Sequence, residues 1–123
     1  MADQNKRRYY RLKDGVKISY TITGQPFGKE FQSLDLGGGG VRAWLPERIF
    51  AGTQLDISLL LPQESQDFKA LARIAWQLPV PKKEKNGKEY FETGIEFLRM
   101  DLKDRLQIIH YVHTRIKKEN IKF

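Results

Sequence analysis

Through most of this chain apolar side chains recur at every second position; beyond Leu102 they recur at the spacing of a helix, and that one change of period limits the possible folds more than any other feature. Val16, Ile18, Tyr20 and Ile22 alternate with Lys17, Ser19, Thr21 and Thr23, as in a strand buried on one face. Gly24-Gln25-Pro26-Phe27-Gly28 then breaks the pattern with turn residues. Residues 30–36 and 41–45 read as two more strands on either side of consecutive glycines. Gln54 to Leu61 is a fourth, with Leu55, Ile57 and Leu59 on one face, and a polar turn from Pro62 to Asp67 follows. In the fifth, Phe68 to Leu78, Ala72, Ile74 and Trp76 share a face, which suits Trp76 for the core at least as well as for stacking under a ligand. Asn86-Gly87 marks a hairpin before the sixth strand, Tyr90 to Leu98, whose Phe91, Thr93, Ile95 and Phe97 point inward. From Leu102 the expected helical stripe is Leu106, Ile109, Val112 and Ile116, with Asp101 as its N-cap and Lys117 and Lys118 near the negative end of its dipole. Six strands on short connections followed by one amphipathic helix predict a mainly β fold: a six-stranded antiparallel β-barrel with a C-terminal α-helix packed over it.

A chain of 123 residues fits one domain, read here as a flexible basic arm over residues 1–13 and a barrel with its helix over 14–123. The formal charge of +7 is concentrated at the two ends and in one loop. The arm has Lys6, Arg7, Arg8, Arg11 and Lys13 against Asp3, while residues 82–89 have four lysines against two glutamates. Such a field speeds the approach of an anionic partner, although charge runs also serve solubility. The absence of cysteine removes disulfides, thiolate metal sites and thiol nucleophiles, and fits a cytoplasmic location. No apolar run approaches the ~18 residues of a membrane-spanning helix. The sequence has no nucleophile–base set, no carboxylate pair placed for acid–base work and no metal-ligand cluster, so neither an enzyme nor a metal or cofactor is expected. His110 and His113, three residues apart on the helix, lack a third ligand and read as surface residues.

Two short patterns point to a ligand. Arg7-x-x-x-Arg11 offers two planar cations, with Arg8 and Lys6 adding to the field; such forks pair bidentately with phosphate oxygens or with the O6/N7 edge of guanine. Asp35-x-Gly37-x-x-Gly40 offers a carboxylate that can accept from guanine N1 and N2 hydrogens, beside bare backbone that a ligand can approach closely. Gly37 and Gly40 shape the turn and supply amides while Gly38 and Gly39 read as plain hairpin, Trp44 lies out of phase with Val41 and Ala43, and Tyr9 and Tyr10 could pack the arm onto the barrel. Together the two patterns describe a receptor for a small, planar, hydrogen-bonding anion.

The order and spacing of these motifs resemble the PilZ domain family, bacterial receptor modules for cyclic di-GMP. That family pairs RxxxR in an N-terminal arm with [D/N]xSxxG between two barrel strands; here Arg7 to Arg11 and Asp35 to Gly40 fit, with Gly37 in the place of the serine. Ala72-Arg73-Ile74-Ala75-Trp76 and Gly94-Ile95-Glu96-Phe97 extend the resemblance, which spans Lys6 to Ile116. It implies a cyclic di-GMP receptor or adaptor of second-messenger signalling with no enzymatic activity. The implied site is Arg7, Arg8, Arg11, Asp35, Gly37, Gly40 and Trp76. Ligand would order the arm on the barrel and create a surface for a protein effector, with no membrane span and no nucleic-acid partner. Two other readings remain at this point: a degenerate PilZ adaptor that contacts proteins without nucleotide, suggested by Gly37, and a small barrel for single-stranded nucleic acid, suggested by the basic composition.

Overall fold

The structure is a computed structural model that describes residues 11–12, 16–25, 28–61 and 67–121. The expectations placed on Arg7 and Arg8, and on most of the arm, lie outside these residues. The elements are β1 (Arg11–Leu12), β2 (Lys17–Ile22), β3 (Lys29–Gly37), β4 (Gly40–Leu45), β5 (Gln54–Leu60), β6 (Phe68–Gln77), β7 (Lys82–Lys83), β8 (Glu89–Met100) and α1 (Leu102–Ile121). All six predicted strands are present, with the short β1 and β7 in addition.

The strands form a nearly closed antiparallel barrel. Pairing runs β3-β2-β5-β6-β8-β4, and β4 pairs back onto β3. Strand β3 serves two neighbours along one edge. Its first half pairs with β2 through Lys17↔Gln32 to Tyr20↔Lys29, and its end pairs with β1 through Leu12↔Leu36 and Arg11↔Gly37. Between these stretches Val16 and Ser33 tie the strands together: Ser33 N donates to Val16 O at 3.0 Å, and Val16 N donates to the Ser33 hydroxyl at 3.0 Å. β1 and β2 therefore lie in line against β3, while β4 takes its opposite edge.

Alternation along each strand sends one set of side chains into a shared core. Ile18, Leu36, Ala43, Leu45, Leu55, Leu59 and Ala72 are fully buried there. At β6 the alternation fails at a defined place. Ile74 pairs with Ile95 and Trp76 with Gly94, so Ala75 is an extra residue forming a β-bulge. The bulge reverses the phase beyond it, and Trp76 is 41% exposed instead of sharing the inward face of Ala72 and Ile74.

The Tyr20 ring packs edge-on against Phe31, and its hydroxyl donates to Glu47 at 2.7 Å, while Lys29 Nζ reaches the same carboxylate oxygen at 2.8 Å. Burial pushes the Tyr20 hydroxyl well above the ordinary tyrosine range, and Glu47 adds to this by hydrogen bond and charge. For Glu47 itself burial acts upward, but the hydrogen bonds from Lys29 and Tyr20 and the charge of Lys29 outweigh it and hold the carboxyl below its ordinary value.

The helix starts where the sequence indicates. Asp101 Oδ1 accepts from Lys103 N at 2.9 Å, and Asp101 O accepts from Arg105 N at 3.0 Å. Its buried face differs from the expected stripe: Ile108 and Val112 are buried against the core and Ile109 is half-buried, whereas Leu102 and Leu106 face solvent, Leu106 being 55% exposed. The helix meets the barrel at β1 and β3, which selects the face carrying Ile108 and Val112.

Two outcomes follow for urea titrations. Ile108→Ala should cost about 2–5 kcal/mol, the range for truncating a buried aliphatic, while Leu106→Ala should stay within about 0.5 kcal/mol. Equal costs would place the helix face wrongly. Because the Glu47 carboxyl is lower in the folded state, its contribution is full above its ordinary value of 4.5 and is lost as pH falls through the folded value. The stability gap between wild type and Glu47→Gln should therefore be wider at neutral pH than at about pH 3.

Candidate functional site

The glycine run makes a tighter turn than its length suggests. Gly37 and Gly40 belong to the strands and pair with each other, leaving Gly38 and Gly39 as the connection. The turn is pinned to the barrel, since Phe97 N donates to Gly39 O at 2.9 Å. At Gly40 the main chain passes so close to β8 that a Cβ would collide with the carbonyl oxygen of Ile95, so only glycine fits without moving backbone.

The last residue of the first motif comes into register with the glycines of the second. Arg11 sits across from Gly37, Gly37 across from Gly40, and Gly40 across from Glu96, so one row runs across four strands. This result comes from the backbone pairing of β1 and concerns the position of Arg11, not its side chain.

Beside this row lies a cavity of about 560 Å³, lined in part by Asp35, Gly40, Arg42, Trp76, Gly94 and Arg105. Its volume lies within the range of small-molecule sites. Of the expected residues, Asp35, Gly40 and Trp76 line it, Gly37 adjoins it through Gly40, and Arg7 and Arg8 lie outside the described residues.

Asp35 is only 6% exposed, and its Oδ2 accepts from Arg42 Nε at 2.8 Å. Arg42 also gives Nη1 to Glu92 Oε2 at 2.7 Å, so one guanidinium joins carboxylates on β3 and β8 from its place on β4. The hydrogen bond to Asp35, then the one to Glu92, push the Arg42 guanidinium further above its ordinary value against the opposing effect of burial. A buried carboxylate bonded to a guanidinium is held in its orientation. Glu96, which also lines the cavity, is joined to Arg73 at 2.8 Å.

Trp76 owes its position to Gly94 as well as to the bulge. The indole lies across Gly94, and a Cβ there would run into the Nε1, Cε2 and Cδ1 atoms of the ring. The result is an aromatic side chain set on the outer surface of the sheet, at the edge of a polar cavity.

Sequence reasoning missed Arg42, Gly94 and Arg105. Gly94 carried a readable signal, because glycine inside a strand often marks a close approach. Arg42 follows Gly40 by two residues, but its pairing with Asp35 depends on how many glycines the turn uses. Arg105 is brought to the cavity by α1, in the same turn as the Asp101 cap.

The two glycines differ in what a methyl group would meet. Gly40→Ala strikes backbone and should destabilise by about 1–3 kcal/mol, as over-packing does. Gly94→Ala meets a movable indole, so it should cost less and report instead as a change in tryptophan emission. Unchanged emission in Gly94→Ala would contradict the contact.

No curated protein sequence matches the chain. Among solved structures it is similar to the motility inhibitor MotI/DgrA of Bacillus subtilis, with a TM-score of 0.75 and 15% identity over 96% of this chain and 54% of that one. It is also similar to the PilZ domain of YcgR from Escherichia coli, solved with c-di-GMP, with a TM-score of 0.68 and 17% identity over 96% of this chain and 99% of that one. A third likeness is to MrkH of K. pneumonia in its c-di-GMP complex, with a TM-score of 0.75 and 13% identity over 96% of this chain and 56% of that one. The chain thus spans about half the length of MotI/DgrA and MrkH and nearly all of the YcgR domain. At these identities the likeness is one of fold. No helix among the described residues is long and apolar enough to cross a membrane. The sequence pattern of the PilZ domain matches residues 5–114, and with the barrel and its glycine turn already described, the chain belongs to the PilZ domain family.

Proposed function

We propose that this protein is a cyclic di-GMP receptor of bacterial second-messenger signalling, in which the ligand bridges the RxxxR segment and the cavity beside the glycine turn. The observation that carries this reading is the row Arg11–Gly37–Gly40, which sets the second arginine of one motif against the glycines of the other.

The roles follow from the chemistry available. Asp35, oriented by Arg42, accepts from the N1 and N2 hydrogens of guanine. Trp76 gives a base an aromatic surface to stack on. The described charged side chains on the cavity wall are Asp35 and Glu96 against Arg42 and Arg105, which balance. A doubly phosphorylated ligand therefore takes its compensating charge from Arg7, Arg8 and Arg11. Gly37 keeps its amide and gives up the serine hydroxyl of the family pattern, a hydrogen bond worth about 0.5–1.5 kcal/mol.

Occupancy would fix the arm on the barrel and present a composite surface to a protein effector in the cytoplasm. The effector can respond only to the extent that its affinity differs between the two states. The alternative, a PilZ adaptor that works without nucleotide, draws on Gly37 and on Asp35 already being bonded to Arg42.

Isothermal titration with cyclic di-GMP, with cyclic di-AMP as control, separates the two. Saturable heat with the guanine ligand alone is expected. Arg7→Ala and Arg11→Ala should each weaken binding at least about tenfold at fixed salt, and Gly37→Ser should tighten it by a factor of about 2–13. Absence of heat with cyclic di-GMP would favour the nucleotide-free adaptor, and wild-type affinity in both arginine variants would overturn the assigned contacts.

A further inference from the structure

The end of β4 away from the cavity carries a surface that has no residue in the cavity lining. Two connections meet there: residues 46–53, between β4 and β5, and residues 78–81, between β6 and β7. Gln77 holds them together, accepting from Ile49 N at 3.0 Å and donating to Glu47 O at 3.1 Å, and Arg48 Nη1 reaches Leu78 O at 3.4 Å. Beyond this anchorage Phe50 is 79% exposed, Val80 77% and Leu78 47%. Pro79 and Pro81 flank Val80 and fix their own φ angles, so little conformational freedom is lost in holding that side chain out.

The cations next to these apolar side chains belong to the hairpin of β7 and β8. Lys82 lies over the Trp44 ring with Nζ 5.5 Å from its centre, which holds the hairpin against the end of β4. Lys83, Lys85 and Lys88 are exposed along it. Glu84 and Glu89 oppose them, Glu89 at 3.9 Å from Lys83 Nζ, and the hairpin remains net positive. Large apolar side chains standing on two adjacent connections, with lysines beside them, combine the two attractions that hold a protein at a charged bilayer: burial of apolar surface at the acyl boundary and the pull of anionic headgroups.

We propose that this end of the barrel docks on an anionic lipid bilayer, with Phe50 and Val80 entering the interface and the hairpin lysines facing the headgroup phosphates. The charge complementarity selects the lipid. Apolar side chains presented on separate connections suit a fluid surface that adapts to them. Because the surface shares no residue with the cavity, docking and nucleotide binding can be measured independently.

The test is co-sedimentation of the full chain with vesicles of phosphatidylcholine alone and of equal parts phosphatidylcholine and phosphatidylglycerol. Binding to the mixed vesicles only, weakening as salt rises, is expected. The double variant Phe50→Ser/Val80→Ser should lower the partition coefficient at least about tenfold. Lys85→Glu/Lys88→Glu should lower it by a similar factor. Both pairs are exposed, so urea midpoints should stay near wild type. Failure to sediment with the mixed vesicles, equal binding to both vesicle types, or wild-type partition in both double variants would overturn the proposal; capture by an acidic protein without vesicle binding would do the same.

Discussion

The structure turns on β3, which pairs with β1 and β2 along one edge and with β4 along the other. Pairing with β2 and β4 closes the barrel, because β3 is the strand at which the chain of pairings returns to its start. Pairing with β1 does something different: it extends the sheet to Arg11 and sets that residue beside the glycine turn. The fold and the candidate site thus depend on the same strand. The reciprocal bonds between Val16 and Ser33 hold it where β2 gives way to the approach of β1.

Around that strand the cavity is shaped by backbone proximity more than by side-chain chemistry. Gly40 lets β4 run against the Ile95 carbonyl, and Gly94 lets the Trp76 indole lie on the sheet. The extra residue at Ala75 turns Trp76 outward. Each feature removes a Cβ or inserts a residue where regular pleating would have closed the surface. The charged network of Asp35, Arg42 and Glu92 then ties β3, β4 and β8 together beneath the cavity, so the carboxylate nearest the turn is held by strands that are themselves paired.

Much of this could be read from sequence, for a physical reason. A strand buried on one face must alternate, and the runs at residues 16–22, 54–61 and 90–98 do so clearly enough to give both element and face. The Asp101 cap was legible because a single side chain makes it. Trp76 was not, since a bulge depends on the neighbouring strand and leaves no mark on the alternation of β6 alone. Nor was the helix phase: α1 has two apolar stripes, Leu102–Leu106 and Ile108–Val112, and packing against β1 and β3 decides which is buried. The Asp35–Arg42 pair was hidden because four successive glycines do not reveal that only Gly38 and Gly39 form the turn.

The most direct test of this account is an NMR measurement of the pairing between β1 and β3 in the full chain. Cross-strand nuclear Overhauser contacts between Arg11 and Gly37 and between Leu12 and Leu36 are expected, and cyclic di-GMP should shift the amides of Gly37 to Gly40 and of Gly94 together with that of Arg11. If those contacts are absent with and without ligand, or if the glycine amides shift while Arg11 stays fixed, the two motifs do not form one site and the account is wrong.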